Sequence, residues 1–203
     1  MFGCFDVFKI LIIIDFLIKM TDDLVYIPNF ISESEETLFL KYLETSEYWS
    51  NNANGKRRRM QRRMQAYGYK YDKGDFSIGM RETTKIPDVF ESLLSRLNKE
   101  TDRVFNQMTV NEYLPGQGID SHYDHKTRFG DVIAGVSLGS GCTMIFSHRD
   151  DKINLYLEPR SLYILKRTIR YDYKHKISKV FDDNVNGQKI IRKIRTSLTF
   201  RIC

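Results

Sequence analysis

The period of the apolar positions changes along this chain. LVYIPNFIS, residues 24–32, alternates and then meets a Pro-Asn pair, so it reads as a strand ending in a turn. Ser32 follows, with Glu35 three positions on. In that pattern a hydroxyl and a carboxylate satisfy the free backbone N–H groups at a helix start. The helix runs to about Thr45, with Leu38, Tyr42 and Leu43 as its apolar stripe and acids at the end the dipole favours. Residues 50–63 are polar, contain Gly55 and read as a loop. AYGYKYD, 66–72, alternates and reads as a strand. Pro87 opens a second helix over 87–104, with Val89, Leu93, Leu94 and Leu97 at helical spacing. Beyond Asn106 short strands take over at 108–114, 131–139, 142–148, 153–159, 161–166 and 196–202. They are β-branched or aromatic and separated by Gly, Pro, Asp or Asn. Two early helices followed by many short strands predict a mainly-β (α+β) fold, an antiparallel sandwich or barrel with helices on one side.

Composition adds bounds. A chain of 203 residues, 41% hydrophobic and 29% charged, is long enough for one full core and has the balance of a folded soluble protein. The net charge of +6 leans toward acidic partners, nucleic acid among them. Cys4, Cys142 and Cys203 lie far apart with no CxxC spacing, which argues against a disulfide framework or a zinc site and fits a reducing compartment. The expectation is an intracellular protein, cytoplasmic or nuclear, and a monomer. Residues 5–18, FDVFKILIIIDFLI, are apolar but carry Asp6, Lys9 and Asp15. That run is too short and interrupted for a comfortable membrane span and lacks a secretory cleavage site. It is an added strand or helix, a membrane-associated segment, or an extension ahead of Met20. The expected division is residues 1–20 as an apolar extension and 21–203 as one domain.

The chemistry concentrates in NEYLPGQGIDSHYD, residues 111–124. His122 and Asp124 are two positions apart, so in an extended segment both side chains face the same way. An imidazole and a carboxylate form two thirds of a 2-His-1-carboxylate site for Fe(II) or Mn(II), and His175 is the candidate third ligand. His125 and His148 read as ordinary polar residues, His125 pointing away from the His122 face. At the other end, RTSLTFR puts Arg195, Ser197, Thr199 and Arg201 on one strand face. A buried arginine there requires an anion, and its fork matches a carboxylate.

Taken together, N-x-Y-x-P-G-x-G-x-x-x-H-x-D, a distal His and R-x-S-x-T-x-R resemble the AlkB group of Fe(II)- and 2-oxoglutarate-dependent dioxygenases over roughly residues 24–203. The resemblance implies a double-stranded β-helix (jelly-roll) core with flanking N-terminal helices and a nucleotide-recognition lid. It implies iron ligation by His122, Asp124 and His175, with Arg195 and Tyr113 on the distal carboxylate of 2-oxoglutarate. Asn111 would contact its iron-chelating end, and Ser197 and Arg201 would complete the pocket, Arg201 also reaching Asp124. It implies oxidation of a substrate C–H bond coupled to conversion of 2-oxoglutarate and oxygen to succinate.

For the substrate, KRRRMQRR (56–63) carries six basic residues in eight and leads into YGYKY (67–71), in the region that is the lid of the family. Cations grip phosphates and aromatics stack unpaired bases, which makes Arg62, Arg63, Tyr67 and Tyr69 candidate substrate contacts. A solvated surface loop would share this composition. Two departures bear on the subclass: Lys126 stands where many base-repairing members carry an acid, and Lys176 where Gly often follows the distal His. The family expectation is oxidative demethylation of alkylated bases in DNA or RNA. The motifs, with Arg170 five before His175, look most like the branch that hydroxylates a modified wobble uridine in tRNA. The human-type version of that branch adds an RNA-recognition module and a methyltransferase. The 203 residues contain neither, so another protein would be expected to supply the precursor modification. A protein or lipid substrate, or a binding module without turnover, is the alternative of another class. The intact triad and arginines speak against lost turnover, and the basic run against a lipid.

Overall fold

A computed structural model describes residues 18–47, 49, 62–71 and 80–203. The first 17 residues of the apolar extension and Lys56–Gln61 of the basic run lie outside these. Strand β1 is Ile18–Thr21 and β2 is Leu24–Ile27, followed by helix α1, Glu33–Glu44. Next come β3 (Arg63–Tyr67), β4 (Tyr69–Tyr71) and β5 (Met80–Glu82), then helix α2 (Glu91–Thr101). The remainder is β6 (Gln107–Tyr113), β7 (Ile119–His122), β8 (Val132–Gly139), β9 (Cys142–His148), β10 (Asp151–Leu157) and β11 (Leu162–Lys166). A short helix α3 (Arg167–Tyr171) precedes β12 (Lys174–Ile177), the hairpin β13–β14 (Asp182–Val185, Gln188–Ile191) and β15 (Arg195–Arg201).

The strands pair antiparallel in two main sheets. One has the order β1-β2-β11-β8-β15-β6-β3 and the other β10-β9-β12-β7. This is the jelly roll. The large sheet is covered on both faces, so its central strands are buried at almost every position. Alternation then sorts their side chains. Val132, Ala134, Val136 and Leu138 of β8, with Leu198 and Phe200 of β15, join Phe39 and Leu43 of α1 and Leu93 and Leu97 of α2 in one core. Ile133, Tyr113 and Tyr163 face the small sheet and pack with Met144, Phe146, Leu155 and Ile177 in a second. The polar face of β15 belongs to this inner space.

Local chemistry explains the elements and three departures. Ser32 caps α1 as expected, its Oγ accepting the Glu35 N–H at 3.2 Å and its own N–H donating to the Glu35 carboxylate at 2.9 Å. The buried stripe of α1 is Phe39 and Leu43, spaced i, i+4, whereas Leu38 falls one position off that line and is exposed. Pro87 stays extended and a 3₁₀ turn at Asp88–Phe90 leads into α2, which ends where Asp102 turns left-handed at φ 53°. AYGYKYD is not one strand. Gly68, at φ +76°, breaks it, sending β3 to the large sheet beside β6 and β4 into a separate hairpin with β5. A Cβ at Gly68 would lie 1.9 Å from the Asn106 carbonyl oxygen, so only glycine fits.

Candidate active site

β7 and β12 are neighbours in the small sheet, and their register sets His175 directly opposite His122. Their ring centroids are 4.3 Å apart. Asp124 follows β7 by two residues, and one donor atom from each of His122, Asp124 and His175 lies within 4.8 Å of the others. The Nδ1 of His122 is 2.8 Å from the Asp120 carbonyl oxygen, which can only accept, so Nδ1 carries the proton and Nε2 keeps the lone pair that could bind a metal. Burial pushes the His175 imidazolium down to about 4 against the pull of Asp124, so the ring is neutral and its lone pair available near pH 7. Burial would raise the Asp124 carboxyl, but Arg201 and then the two histidines outweigh it and hold it below the usual carboxylate range. Arg201 donates to Asp124 Oδ1 at 3.0 Å and steadies itself on Thr109 at 3.1 Å.

Arg195, Ser197, Thr199 and Arg201 share the inner face of β15. They lie in register with Tyr113, Asn111, Thr109 and Gln107 on β6. Arg195 is 3% exposed. Its Nε donates to Ser137 at 3.0 Å, while Nη1 and Nη2 are buried with no hydrogen-bond partner among the described residues. Its guanidinium lies 5.6 Å from the centre of the Tyr113 ring. Burial raises the Tyr113 phenol, with Arg62 and Arg195 pulling it back, so that hydroxyl is neutral and able to donate.

Of the expected substrate contacts, Arg62 reaches the site. Its Nε donates to Asn111 Oδ1 at 2.8 Å, and its guanidinium lies 5.9 Å from the Tyr113 ring. The others are engaged elsewhere. Arg63 forms a bidentate pair with Glu112, at 2.8 and 2.7 Å, and stacks 4.0 Å from the Trp49 ring. Tyr67 is 0% exposed in the helix-side core, which corrects its reading as a base-stacking surface. Tyr69 is half-buried, its hydroxyl donating to Glu82 at 3.3 Å. His148 Nδ1 donates to the Asp172 carbonyl, and His125 Nδ1 accepts the Arg128 N–H, so neither joins the triad.

The sequence profile of the 2OG-Fe(II) oxygenase superfamily matches residues 23–201. The chain belongs to that superfamily. Among its relatives, the protein "Uncharacterized protein L905" of Acanthamoeba polyphaga mimivirus is 36% identical over 180 residues, 86% of this chain and 82% of that one. The tRNA (carboxymethyluridine(34)-5-O)-methyltransferase ALKBH8 of Macaca fascicularis is 30% identical over 199 residues, and this oxygenase spans 88% of its own length but 30% of the relative's. The solved structure of OsALKBH1 superposes with a TM-score of 0.66 at 15% identity, covering 92% of this chain and all of that one, a likeness of fold. The oxygenase is AlkB-like, and its family uses Fe(II) and 2-oxoglutarate. Its residues fit both. Two imidazoles and a carboxylate suit a hard-to-borderline cation, and the two unpartnered nitrogens of Arg195 suit a carboxylate.

Two residues of this oxygenase site were not assigned such places from sequence. Tyr163 packs closely against Gly135, where a Cβ would meet its ring at 2.1 Å, and burial pushes its phenol up to about 12 with Arg195 and Asp124 in its field. A tyrosine inside the apolar run SLYILK is the one hint of it. Arg170, 2% exposed on α3, donates to the carbonyls of Asp124 at 3.1 Å and His125 at 2.9 Å, and more distantly to those of Phe129 and Gly130. It ties down the loop that carries Asp124.

Proposed function

We propose that this AlkB-like oxygenase acts on nucleic acid, hydroxylating the alkyl carbon of a damaged base so that the group leaves as an aldehyde. The observation that carries the oxygenase half is the buried Arg195 fork, whose Nη1 and Nη2 have no hydrogen-bond partner among the described residues, on the same inner wall as Arg201, which is bound to Asp124. In this reading His122, Asp124 and His175 hold Fe(II), which, with 2-oxoglutarate and oxygen, supplies the oxidation of a C–H bond. Arg195 holds the distal carboxylate of 2-oxoglutarate in a two-pronged grip, with the neutral Tyr113 hydroxyl as a further donor. Asn111 faces the chelating end, and Ser197 fills the wall between Asn111 and Ser137. Arg201 keeps Asp124 ionised and aimed. Arg62 enters from the basic run, so a substrate phosphate held there would lie near the mouth of the same pocket. A base has to leave its stack to reach a site this enclosed.

A second reading is favoured by two observations. Lys126 offers a cation where an amino-reading acid would sit, and the ALKBH8 relative carries a wobble-uridine activity in its name. In that case the oxidised carbon is bonded to carbon and a stable alcohol remains. The test is mass spectrometry of tRNA nucleosides and of alkylated oligonucleotides after incubation with Fe(II), ascorbate and 2-oxoglutarate. Loss of a methyl group with aldehyde release is the expected result. One added oxygen on a wobble uridine would establish the second reading. Succinate formation with neither product would reject nucleic acid as the substrate.

A further inference from the structure

The outer face of the small sheet carries a charge pattern that the site itself does not use. His175 points inward, so its neighbours Lys174 and Lys176 on β12 point out and are exposed. The register continues this across the sheet: Lys174 lies opposite Ser147 of β9, and Ser147 opposite Lys152 of β10. On the other side is Tyr123, between His122 and Asp124 and turned away from them. Its ring is 39% exposed. Lys174 Nζ lies 5.5 Å from its centre and Lys126 Nζ 4.7 Å. The result is a row across the sheet, ammonium, hydroxyl, ammonium, aromatic, with neighbouring strands about 4.8 Å apart.

Several cations among the described residues are paired with acids. Arg103 pairs with Asp131, Arg160 with Glu33, Lys179 with Asp120 and Lys189 with Asp182. On this face, Lys126 has only a 4.0 Å contact to Asp172, and Lys152, Lys174 and Lys176 have no carboxylate partner among the described residues. Lysines often guard exposed edge strands against unwanted pairing. That accounts for Lys152 on the edge strand β10, but not for Lys174 and Lys176, because β12 is interior in the order β10-β9-β12-β7.

We propose that this face is a docking track for the phosphate backbone of a single-stranded nucleic acid, with a base stacked on Tyr123. The inference rests on the nucleic-acid reading above and adds where the strand runs. Unpaired ammonium groups in a row meet phosphates, and an exposed aromatic ring between two of them meets a base, the combination used for sequence-tolerant single-strand binding. Tyr123 lies between His122 and Asp124 in the chain, so the track runs along the opposite face of the strand segment that carries them.

The test is fluorescence anisotropy of a labelled 12-nucleotide oligouridylate with the full chain across a salt series. Folding of each variant is verified by circular-dichroism melting. The triple variant Lys152→Ala/Lys174→Ala/Lys176→Ala is expected to bind at least tenfold more weakly, with the slope of log affinity against log salt smaller by about 2. Tyr123→Ala is expected to lose about tenfold with the slope unchanged. Lys174→Arg, which keeps the charge, should bind as wild type does. If the triple and Tyr123 variants bind like wild type, the track is wrong and the nucleic-acid reading stands. If the wild type itself shows no salt-dependent binding, both fall. Displacement of the RNA by polyglutamate as effective as by unlabelled RNA would assign the face to an acidic polypeptide and overturn the proposal.

Discussion

At the scale of single residues, Arg195 is where the structure asks most plainly for something more. A buried guanidinium whose Nη1 and Nη2 have no partner among the described residues carries a desolvation cost that a bidentate carboxylate would offset. Charged hydrogen bonds of this kind are worth roughly 1.5–3 kcal/mol each. Arg195→Ala is therefore expected to raise the 2-oxoglutarate concentration for half-maximal succinate formation by on the order of 100-fold while Mn(II) affinity stays near wild type. An unchanged 2-oxoglutarate requirement would show that the carboxylate binds elsewhere. Much of this was legible from sequence, because alternation along RTSLTFR dictates which side chains share a face and HxD spacing dictates another. What was not legible was depth. Tyr67 and Tyr69 stand either side of Gly68 and look alike in the sequence, yet the Gly68 break turns Tyr67 into the core and leaves Tyr69 half-buried.

At the scale of elements, α3 is small but consequential. Arg170 leaves it to collect carbonyls of the 124–130 loop, so the five-residue helix positions a carboxylate it never touches. Lysine at 170 keeps the charge but cannot fork to several acceptors at once. Arg170→Lys is expected to weaken Mn(II) binding about 10–100-fold, the usual cost of disturbing a group behind a ligand. An isothermal titration at fixed pH measures it, and wild-type affinity would reduce Arg170 to a packing role. Neither α3 nor the hairpin β13–β14 follows from hydrophobic period. α3 is shorter than two turns, too brief for a 3.6 period to register. The hairpin turns on Asn186-Gly187, both at positive φ as a tight two-residue turn requires, but its strands DDNV and QKII do not alternate cleanly.

For the whole molecule, that hairpin is fastened by one buried ion pair. Arg192 donates to both oxygens of Asp183 at 2.6 and 2.7 Å and to the Ser178 carbonyl at 2.7 Å, and Asp183 also accepts the Thr143 N–H from the small sheet. Burial would raise the Asp183 carboxyl, but its hydrogen bonds with Arg192 and Thr143 prevail and hold it below its ordinary value. The unfolded chain then binds its proton first as pH falls. The stabilisation is complete above the ordinary Asp value, about pH 4, and is lost as pH drops through the lower folded value. Asp183→Asn should flatten this acid limb of a stability-against-pH curve. It should also cost about 3–5 kcal/mol at pH 7, because Arg192 stays buried without its counter-charge. Urea unfolding at a series of pH values reads both, and parallel curves for the two proteins would exclude the pair as the acid-sensitive fastening.

The facing of His122 and His175 has a consequence in time. The two rings meet only when β12 has taken its place between β9 and β7, a pairing of distant stretches whose loop-closure entropy makes it slow to form. A cation held by these three donors would find them together only after the barrel has closed, and would not seed the fold. It can only hold a finished one. Refolding rates should be indifferent to Mn(II), while unfolding slows as Mn(II) rises, a chevron with one moving arm. Refolding accelerated by the metal would mean that β7 and β12 meet early, before the sheet around them exists.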